Sequence, residues 1–284
     1  MSLNVTLGTA LTGLRVNQKA IEVASQNVAN ASTVGYSRQV VHREALTTGG
    51  VGSGVGTAAI SRTVDDFLVR EIRTQNAAVG AETVRSDYLS RTQDIFGSLA
   101  NDTSLTARLT ELATSIGALA NEPESAAQRL NLVQAAQSFA LSMTDASHSI
   151  QSMRQDVERD IDQGVKTVNE QLEMIADLNK QIVHRQALGE SPNELLDKRD
   201  TAMAAVAEFV DVQSFTRETG EVVLYTKSGK PLVDGSAHLF SYSPASAVGV
   251  DTTFDAITLD GKPVGSSLQS GKLTALVELR DKTL

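Results

Sequence analysis

The sequence predicts a mainly α-helical protein: a long antiparallel helical bundle or coiled coil with a small β-hairpin element and an extended N-terminal amphipathic helix. Apolar residues recur at steps of three and four along most of the chain before Phe209, the spacing of packed helices. Aromatic residues make up only 4% of the sequence and Trp is absent, which favours helix-on-helix packing. Beyond Phe209 the apolar period changes to two, the period of β-strands.

The first helix is amphipathic, and polar turn-forming residues predict that it ends near Asn30. Gln18 and Ser25 interrupt its apolar stripe, so the stripe is only partly apolar. A lone helix of about thirty residues cannot bury such a stripe unaided. We therefore interpret the stripe as an assembly seam, which consists of Leu7, Leu11, Leu14, Ile21 and Val28.

The segment 41–62 is rich in glycine and predicts an extended, flexible linker rather than a helix. Its glycines could instead suggest a phosphate-binding loop. No strand–turn–helix unit surrounds them, and no Walker-type Lys followed by Ser or Thr is present. The linker interpretation is therefore preferred.

Two helices are expected between Thr63 and Pro123. Asp65 and Asp66 lie in the first turn of the first of these helices, where the positive end of the helix dipole stabilises carboxylates. This helix is expected to end at Phe96, and Gly97 follows as its C-cap. The other carries a two-heptad stripe made of Leu105, Leu109, Leu112, Ile116 and Leu119.

The longest helix is predicted from Glu124 to Leu188, a span of about 100 Å. Its heptad pattern is interrupted by a stutter near Gly164, a residue that should soften the helix by about 1 kcal/mol relative to Ala. Ser191-Pro192-Asn193-Glu194 is a strong helix-start signal. The helix Pro192–Glu208 should therefore fold back on the long helix as a hairpin.

Short strands and one last helix are expected after Phe209. Thr219-Gly220, Ser228-Gly229 and Asp260-Gly261 are hairpin-turn signals between the strands. The final helix is predicted over Leu268–Leu284. The predicted strands are Val210–Phe215, Glu221–Lys227, Pro231–Val233, His238–Ser241 and Thr253–Leu259.

Composition and spacing argue against an enzyme. The net charge of −9 argues against nucleic acid as a partner. The sequence contains no run of eighteen apolar residues, the length that would predict a membrane-spanning helix. Cys is absent, and none of the four histidines has metal-ligand spacing. We therefore predict no catalytic, cofactor-binding or metal-binding residues; the histidines are His42, His148, His184 and His238.

Several segments carry a family resemblance, among them the end of the glycine-rich segment, with Arg62, Asp66, Phe67 and Leu68, and Ser228–Gly235. The signature residues resemble the N-terminal motif of bacterial flagellar rod, hook and hook-associated proteins, and the extension to Arg38 and Gln39 is closest to the hook-associated protein 1 family. Asn193–Asp200 (NELLDKRD) and Gly271–Asp281 (GKLTALVELRD) resemble later segments of that family. The signature residues are Asn27, Val28, Ala29, Asn30, Thr33, Gly35, Tyr36, Arg38 and Gln39.

The resemblance implies a structural subunit of the flagellum, an adaptor at the hook–filament junction without enzymatic turnover. Its implied partners are copies of itself, the hook protein, a neighbouring hook-associated protein, the filament and an export chaperone. It implies an extracellular location, reached without a cleavable signal peptide. The alternatives are another axial subunit (hook, rod or flagellin-like) and, from a different class, a cytosolic coiled-coil regulator or an enzyme on a helical scaffold.

The resemblance and the periodicity together suggest five segments. They are an assembly helix with its signature turn (1–40), the linker (41–62), a helical bundle (63–208), a β element (209–265) and a last helix (266–284). Because that last helix has no C-cap and family members carry a further C-terminal amphipathic helix, we expect the chain to be the N-terminal part of a longer protein.

Overall fold

The computed structural model describes residues 3–97 and 104–284, and it is mainly helical, as predicted. Small antiparallel sheets accompany the helices. The helices are α1 (Leu3–Ala29), α2 (Asp66–Phe96), α3 (Leu105–Asn121), α4 (Ala126–Ala187), α5 (Asn193–Phe209) and α6 (Lys272–Glu278). The strands are β1 (Gln39–Thr48), β2 (Val51–Arg62), β3 (Val212–Thr216), β4 (Val222–Thr226), β5 (Pro231–Asp234), β6 (Ser236–Ala237), β7 (Phe240–Ser241), β8 (Thr258–Leu259) and β9 (Lys262–Pro263).

The chain forms two compact units that alternate along the sequence. Unit 1 contains the chain up to Asn76, together with Val168–Ala207 and Asp211–Leu239. Unit 2 contains Ala77–Thr167, Glu208–Val210 and Phe240–Leu284. The division into five consecutive segments remains a prediction.

The segment predicted as a flexible linker is a two-stranded antiparallel hairpin, so that prediction was wrong about local order. β1 pairs with β2 from Gln39 opposite Arg62 to Thr48 opposite Val51. Gly49 and Gly50 both have positive φ, the conformation that tight hairpin turns require. The glycines that suggested flexibility therefore form the turn and allow close approach within β2.

In unit 1, helix α1 packs against this hairpin through the side of the helix opposite the assembly seam. Val16 and Val23, seven residues apart, are buried there at 5% and 4% exposure. Thr12 Oγ1 accepts a hydrogen bond from Val55 N at 3.2 Å, and a Cβ at Gly54 would lie 2.2 Å from that oxygen. Glycine at this position thus lets β2 reach the helix.

The α4–α5 hairpin of unit 1 forms as expected. Gly189 has positive φ just after the end of α4. Leu178 and Ile182 then pack against Leu195 in one buried cluster. Strands β3, β4, β5 and β6 follow as a four-stranded sheet. The predicted single β element is therefore divided, because β7, β8 and β9 form a separate three-stranded sheet in unit 2.

In unit 2, helix α3 forms within its predicted bounds, and the Ser104 hydroxyl caps it by accepting from Ala107 N. Its heptad stripe does not form a buried core, since α3 has no buried residue and Leu109 and Ile116 are 52% and 53% exposed. On α4 only Ala135 is buried before Met153, and most of the buried residues of this helix follow Met153. The periodicity therefore identified the helix correctly but not the extent of its burial.

At two positions in unit 2, glycine leaves room for a neighbouring side chain or backbone group to approach closely. Helix α4 continues through Gly164, where a Cβ would lie 2.9 Å from Leu273 Cδ2. Gly271 has a φ of +102°, and a Cβ there would lie 2.3 Å from the Phe209 carbonyl oxygen. This conformation delays the last helix, which begins at Lys272 instead of Leu268 and ends in a π-helical turn, Leu279–Thr283.

Candidate functional site

The signature residues form a hydrogen-bonded turn, here called the signature turn (residues 27–39), in unit 1. The Asn27 side-chain amide donates to the Gln39 carbonyl oxygen, and its oxygen accepts from Gln39 N, both at 2.9 Å. The Tyr36 hydroxyl donates to the same Asn27 oxygen at 3.0 Å. One side chain therefore joins the end of α1 to the first residue of β1.

Other signature residues complete this turn. Asn30 Nδ2 donates to the Gln26 carbonyl at 3.0 Å, and the Thr33 hydroxyl donates to Asn30 Oδ1 at 3.2 Å. Gly35 has a φ of +81°, and a Cβ at this position would lie 2.3 Å from the Thr201 hydroxyl oxygen on α5. Arg38 is exposed and takes part through its carbonyl, which accepts from Thr63 N.

A second cluster, here called the α5 network, joins Asp197, Asp200, Arg62 and Arg73. Arg62 Nη1 lies 2.7 Å from Asp197 and 2.8 Å from Asp200, while Arg73 Nη2 lies 2.9 Å from Asp200. Asp197 also accepts from Ser37 N at 3.2 Å. Both aspartates of NELLDKRD are therefore ion-paired, and they hold β2, α2 and the signature turn against α5.

The signature turn and the α5 network affect each other electrostatically. Burial, and after it the negative charge of Asp197, raises the pKa of Tyr36 above its ordinary value. Tyr36 therefore stays protonated at neutral pH and remains the hydrogen-bond donor to Asn27.

Arg199 lies on the same helix but contacts only neutral oxygens. Its Nη1 donates to Asn179 Oδ1 at 2.9 Å and to the Gly220 carbonyl at 2.8 Å. Asn179 in turn holds both backbone groups of Val222, the first residue of β4. Burial lowers the pKa of Arg199 to about 10, so the guanidinium is still charged at neutral pH. Sequence analysis missed the role of Asn179, which has no local motif.

The assembly seam on α1 is open in unit 1. Its residues are 69% (Leu7), 47% (Leu11), 55% (Leu14), 67% (Ile21) and 78% (Val28) exposed. Sequence analysis missed the opposite pair, Val16 and Val23, although its spacing of seven residues was visible. Helix α1 therefore has two apolar faces, of which only the second is covered by the hairpin.

Unit 2 holds a buried charge cluster that the sequence did not reveal. The carboxylate of Glu158, 1% exposed, lies 3.0 Å from Arg280 Nη1 and accepts from the Tyr242 hydroxyl at 2.5 Å and Ala245 N at 2.8 Å. The Arg280 guanidinium also lies 4.7 Å from the centre of the Phe254 ring. Arg280 belongs to the GKLTALVELRD segment, so this cluster ties that segment to α4.

The carboxylates and histidines considered for catalysis and metal binding make hydrogen bonds that stabilise the fold, or lie too far from one another to form a site. Asp65 Oδ1 accepts from the backbone N–H groups of Phe67 and Leu68, an N-terminal helix cap. His42 Nε2 lies 2.6 Å from the Ser61 hydroxyl. Within residues 3–97 and 104–284, no group of three or more metal-ligating side chains could hold an ion. None of the helices in the described part of the chain is long and apolar enough to cross a membrane.

These features define a class: a helix-dominated protein whose polar clusters connect distant segments and whose first helix presents an open apolar seam. The comparisons identify the family. The model of the flagellar hook-associated protein FlgK helical domain matches residues 89–284, and the flagella basal body rod protein model matches residues 7–36. The chain belongs to the FlgK helical-domain family, which confirms the resemblance noted in the sequence.

Relatives in several bacteria agree. Flagellar hook-associated protein 1 of Bacillus subtilis (strain 168) is 28% identical over 235 residues, which cover 78% of this chain and 46% of the relative. The protein of the same name from Salmonella typhimurium is 28% identical over 290 residues, covering 97% and 51%. That from Escherichia coli (strain K12) is 26% identical over 292 residues, covering 98% and 53%. The chain thus spans about half the length of these relatives.

A solved structure supports the fold. The flagellar hook junction protein FlgK from Burkholderia pseudomallei matches with a TM-score of 0.58 and 23% identity, over 75% of this chain and 38% of that one. At this identity the likeness establishes the fold alone.

Proposed function

We propose that this chain is part of a structural subunit of the bacterial flagellum, an adaptor at the hook–filament junction that assembles by helix packing. The observation that carries the proposal is the open assembly seam on α1, in a chain of the FlgK helical-domain family. The names of its relatives, flagellar hook-associated protein 1, agree with this role.

The energetics of α1 support an assembly role. Each large aliphatic side chain that is transferred from water to a packed interface contributes about 1.5–3 kcal/mol. Five such residues on one face of one helix are a large exposed apolar surface for a folded chain. A partner helix that covers this face in every subunit would stabilise a ring or tube of subunits.

The proposed partners are copies of the same protein, the hook protein, a neighbouring hook-associated protein and the filament, with an export chaperone before assembly. The proposed location is the extracellular part of the flagellum, reached without a cleavable signal peptide. We propose no enzymatic activity, since the buried charges described above are engaged in holding segments of the chain together.

A second candidate is another axial subunit of the same organelle, because residues 7–36 match the rod protein family. Labelling the full-length protein in intact flagella separates the two: junction labelling supports the adaptor, whereas labelling along the rod or hook would support the alternative.

The assembly seam is tested by Leu14→Asp and Ile21→Asp in the full-length protein. A buried unpaired carboxylate costs several kcal/mol, so each variant should melt like wild type and yet fail to enter the flagellum. Gln26→Glu adds a carboxylate at an exposed position of α1 outside the seam and is the matched control. Export is measured first, by the amount of each variant in the medium. An exported Leu14→Asp variant that builds normal filaments would contradict the seam.

A further inference from the structure

An open cavity of about 550 Å³ in unit 1 is lined by arginines. Its charged lining residues come from β2, α2 and α5, and hydroxyl groups come from β3. We call it the arginine pocket, and the lining residues used here are Arg62, Arg70, Arg73, Arg199, Asp66, Asp200, Ser214 and Thr216.

The positive charge of the arginine pocket is only partly neutralised. Four guanidinium groups line it against two carboxylates, and a third carboxylate just outside the lining, Asp197, pairs with Arg62 at 2.7 Å, so four positive charges face three negative ones. Asp200 is fully used, because one of its oxygens accepts from Arg62 and the other from Arg73. Asp66 contacts Arg70 through its backbone, since Arg70 Nε donates to the Asp66 carbonyl oxygen at 3.1 Å.

Arg199 is the most unusual member of this group. It is 4% exposed, and no carboxylate in the described parts of the chain lies within ion-pair distance of it. Its two acceptors, Asn179 Oδ1 and the Gly220 carbonyl, are neutral. Arginines that are this deeply buried normally have a charged partner.

Two donors of the arginines that line the pocket have no acceptor. Arg73, 7% exposed, and Arg199 each have a buried Nε without a hydrogen-bond partner. Burial is the main cause of the lowered pKa of both Arg73 and Arg199; repulsion by Arg62 adds to it for both residues, and repulsion by Arg73 adds to it for Arg199. Excess positive charge, unused donors and nearby hydroxyl groups are the chemistry of an anion-binding site.

We propose that the arginine pocket binds a small oxyanion of the carboxylate or phosphate class, held by Arg70, Arg73 and Arg199. Anionic oxygens would supply the counter-charge that Arg199 lacks and accept from the guanidinium groups. This site is independent of the assembly seam and of the proposed junction role.

The site is tested on the purified chain by titrating inorganic phosphate and, separately, acetate at constant ionic strength. Binding is followed through the Nε–H resonances of the arginines in NMR spectra. A saturable shift of the Arg73 and Arg199 resonances with either anion supports the site, and the anion that produces it identifies the class. A response to neither anion, beyond that of chloride, would overturn the proposal.

Variants localise the site. Arg70 is exposed, so Arg70→Gln should fold normally and bind about tenfold more weakly, the effect of losing one charge-assisted interaction. Arg199→Lys keeps the charge but removes the planar guanidinium group, and it should also weaken binding.

Arg154 in unit 2 also has an unpartnered buried Nε but does not line the pocket, so Arg154→Gln is the matched control. Unchanged affinity in both pocket variants, or weakening only in the control, would overturn the assignment; if Arg199→Lys does not fold, Arg70→Gln decides.

Discussion

In unit 2 the buried carboxylate of Glu158 meets three donors, whereas in unit 1 the buried guanidinium of Arg199 meets only neutral oxygens. The first arrangement matches a charge with its opposite and satisfies the remaining lone pairs. The second satisfies some hydrogen bonds but leaves the charge itself without a close counter-ion. Hydrogen bonding and charge pairing are therefore separate properties: the Glu158 cluster combines them, whereas the Arg199 site has hydrogen bonds without a paired charge.

The largest effect is expected from Glu158→Ala, which leaves the buried Arg280 with the more exposed Asp281 as its remaining carboxylate partner. Breaking one side of a buried pair costs about 3–5 kcal/mol, and urea denaturation of the chain should show a loss of that size. Lys166→Ala removes an exposed pair on the same helix and should cost about 0.5 kcal/mol or less. Equal losses in the two variants would mean that the Glu158 cluster is no more important than a surface pair.

Asp200→Ala should cause the next largest loss in the free energy of unfolding. It removes the shared acceptor of Arg62 and Arg73, but the Asp200 side chain is 30% exposed, so water can replace part of the interaction. We expect a loss of about 2 kcal/mol in the free energy of unfolding. Phosphate should partly restore stability if the arginine pocket binds it, which a thermal melt with and without phosphate at constant ionic strength would measure. A variant as stable as wild type would contradict a structural role for the α5 network.

Gly35→Ala should cost about 1–2 kcal/mol for the left-handed backbone, and more because of the contact with Thr201. Gly189→Ala is the matched control, since Gly189 also has positive φ but no atom lies within 4 Å of its Cβ position. The difference between the two denaturation midpoints isolates the contact of the signature turn with α5. Equal midpoints would show that the turn does not press on Thr201.

The smallest effect concerns alkaline pH and Tyr88 in unit 2. Burial, and then the hydrogen bond to Asp160, raises the pKa of Tyr88 above its ordinary value of 10.0. As the pH rises, the Tyr88 hydroxyl therefore loses its proton in the unfolded chain at a lower pH than in the folded chain. The stability that the protonated Tyr88 provides is present below pH 10 and is lost as the pH rises above 10. At pH 10.5 the loss is about 0.8 kcal/mol.

Tyr88→Phe tests this linkage. The variant should be less stable at pH 7, because the hydrogen bond to Asp160 is gone, but it should lose less stability between pH 7 and pH 10.5 than wild type. Urea denaturation at the two pH values measures both. The same pH dependence in the variant and in wild type would show that other groups control the alkaline loss.

Local patterns predicted most of the helical fold. The Ser–Pro–Asn–Glu start of α5 and the Asp65 cap of α2 are short-range signals, and both helices begin within a few residues of them. The glycine-rich segment misled the prediction because glycine serves a flexible linker and a tight hairpin equally well. Gly49 and Gly50 form a turn only in combination with the pairing of β1 and β2, which no short window contains.

The polar clusters could not be predicted either, because their members lie far apart in the sequence. NELLDKRD was recognised as a family segment, but no short window of sequence pairs it with Arg62, Arg73 or Asn179, which lie elsewhere in the chain. The Glu158–Arg280 pair joins residues 122 positions apart. Whether the assembly seam and the signature residues act as proposed remains a prediction, to be decided by the seam variants.

The hydrogen bond between Ser37 N and Asp197 spans 160 positions of sequence, and the pair between Arg62 and Asp197 spans 135. Contacts of such long range form slowly, because a large loop must close before they provide any stabilisation. During synthesis the contacts of the hairpin and the signature turn with α5 therefore cannot form until α5 has left the ribosome. For that interval the N-terminal segment has only its own internal contacts, such as those of Asn27 with Gln39.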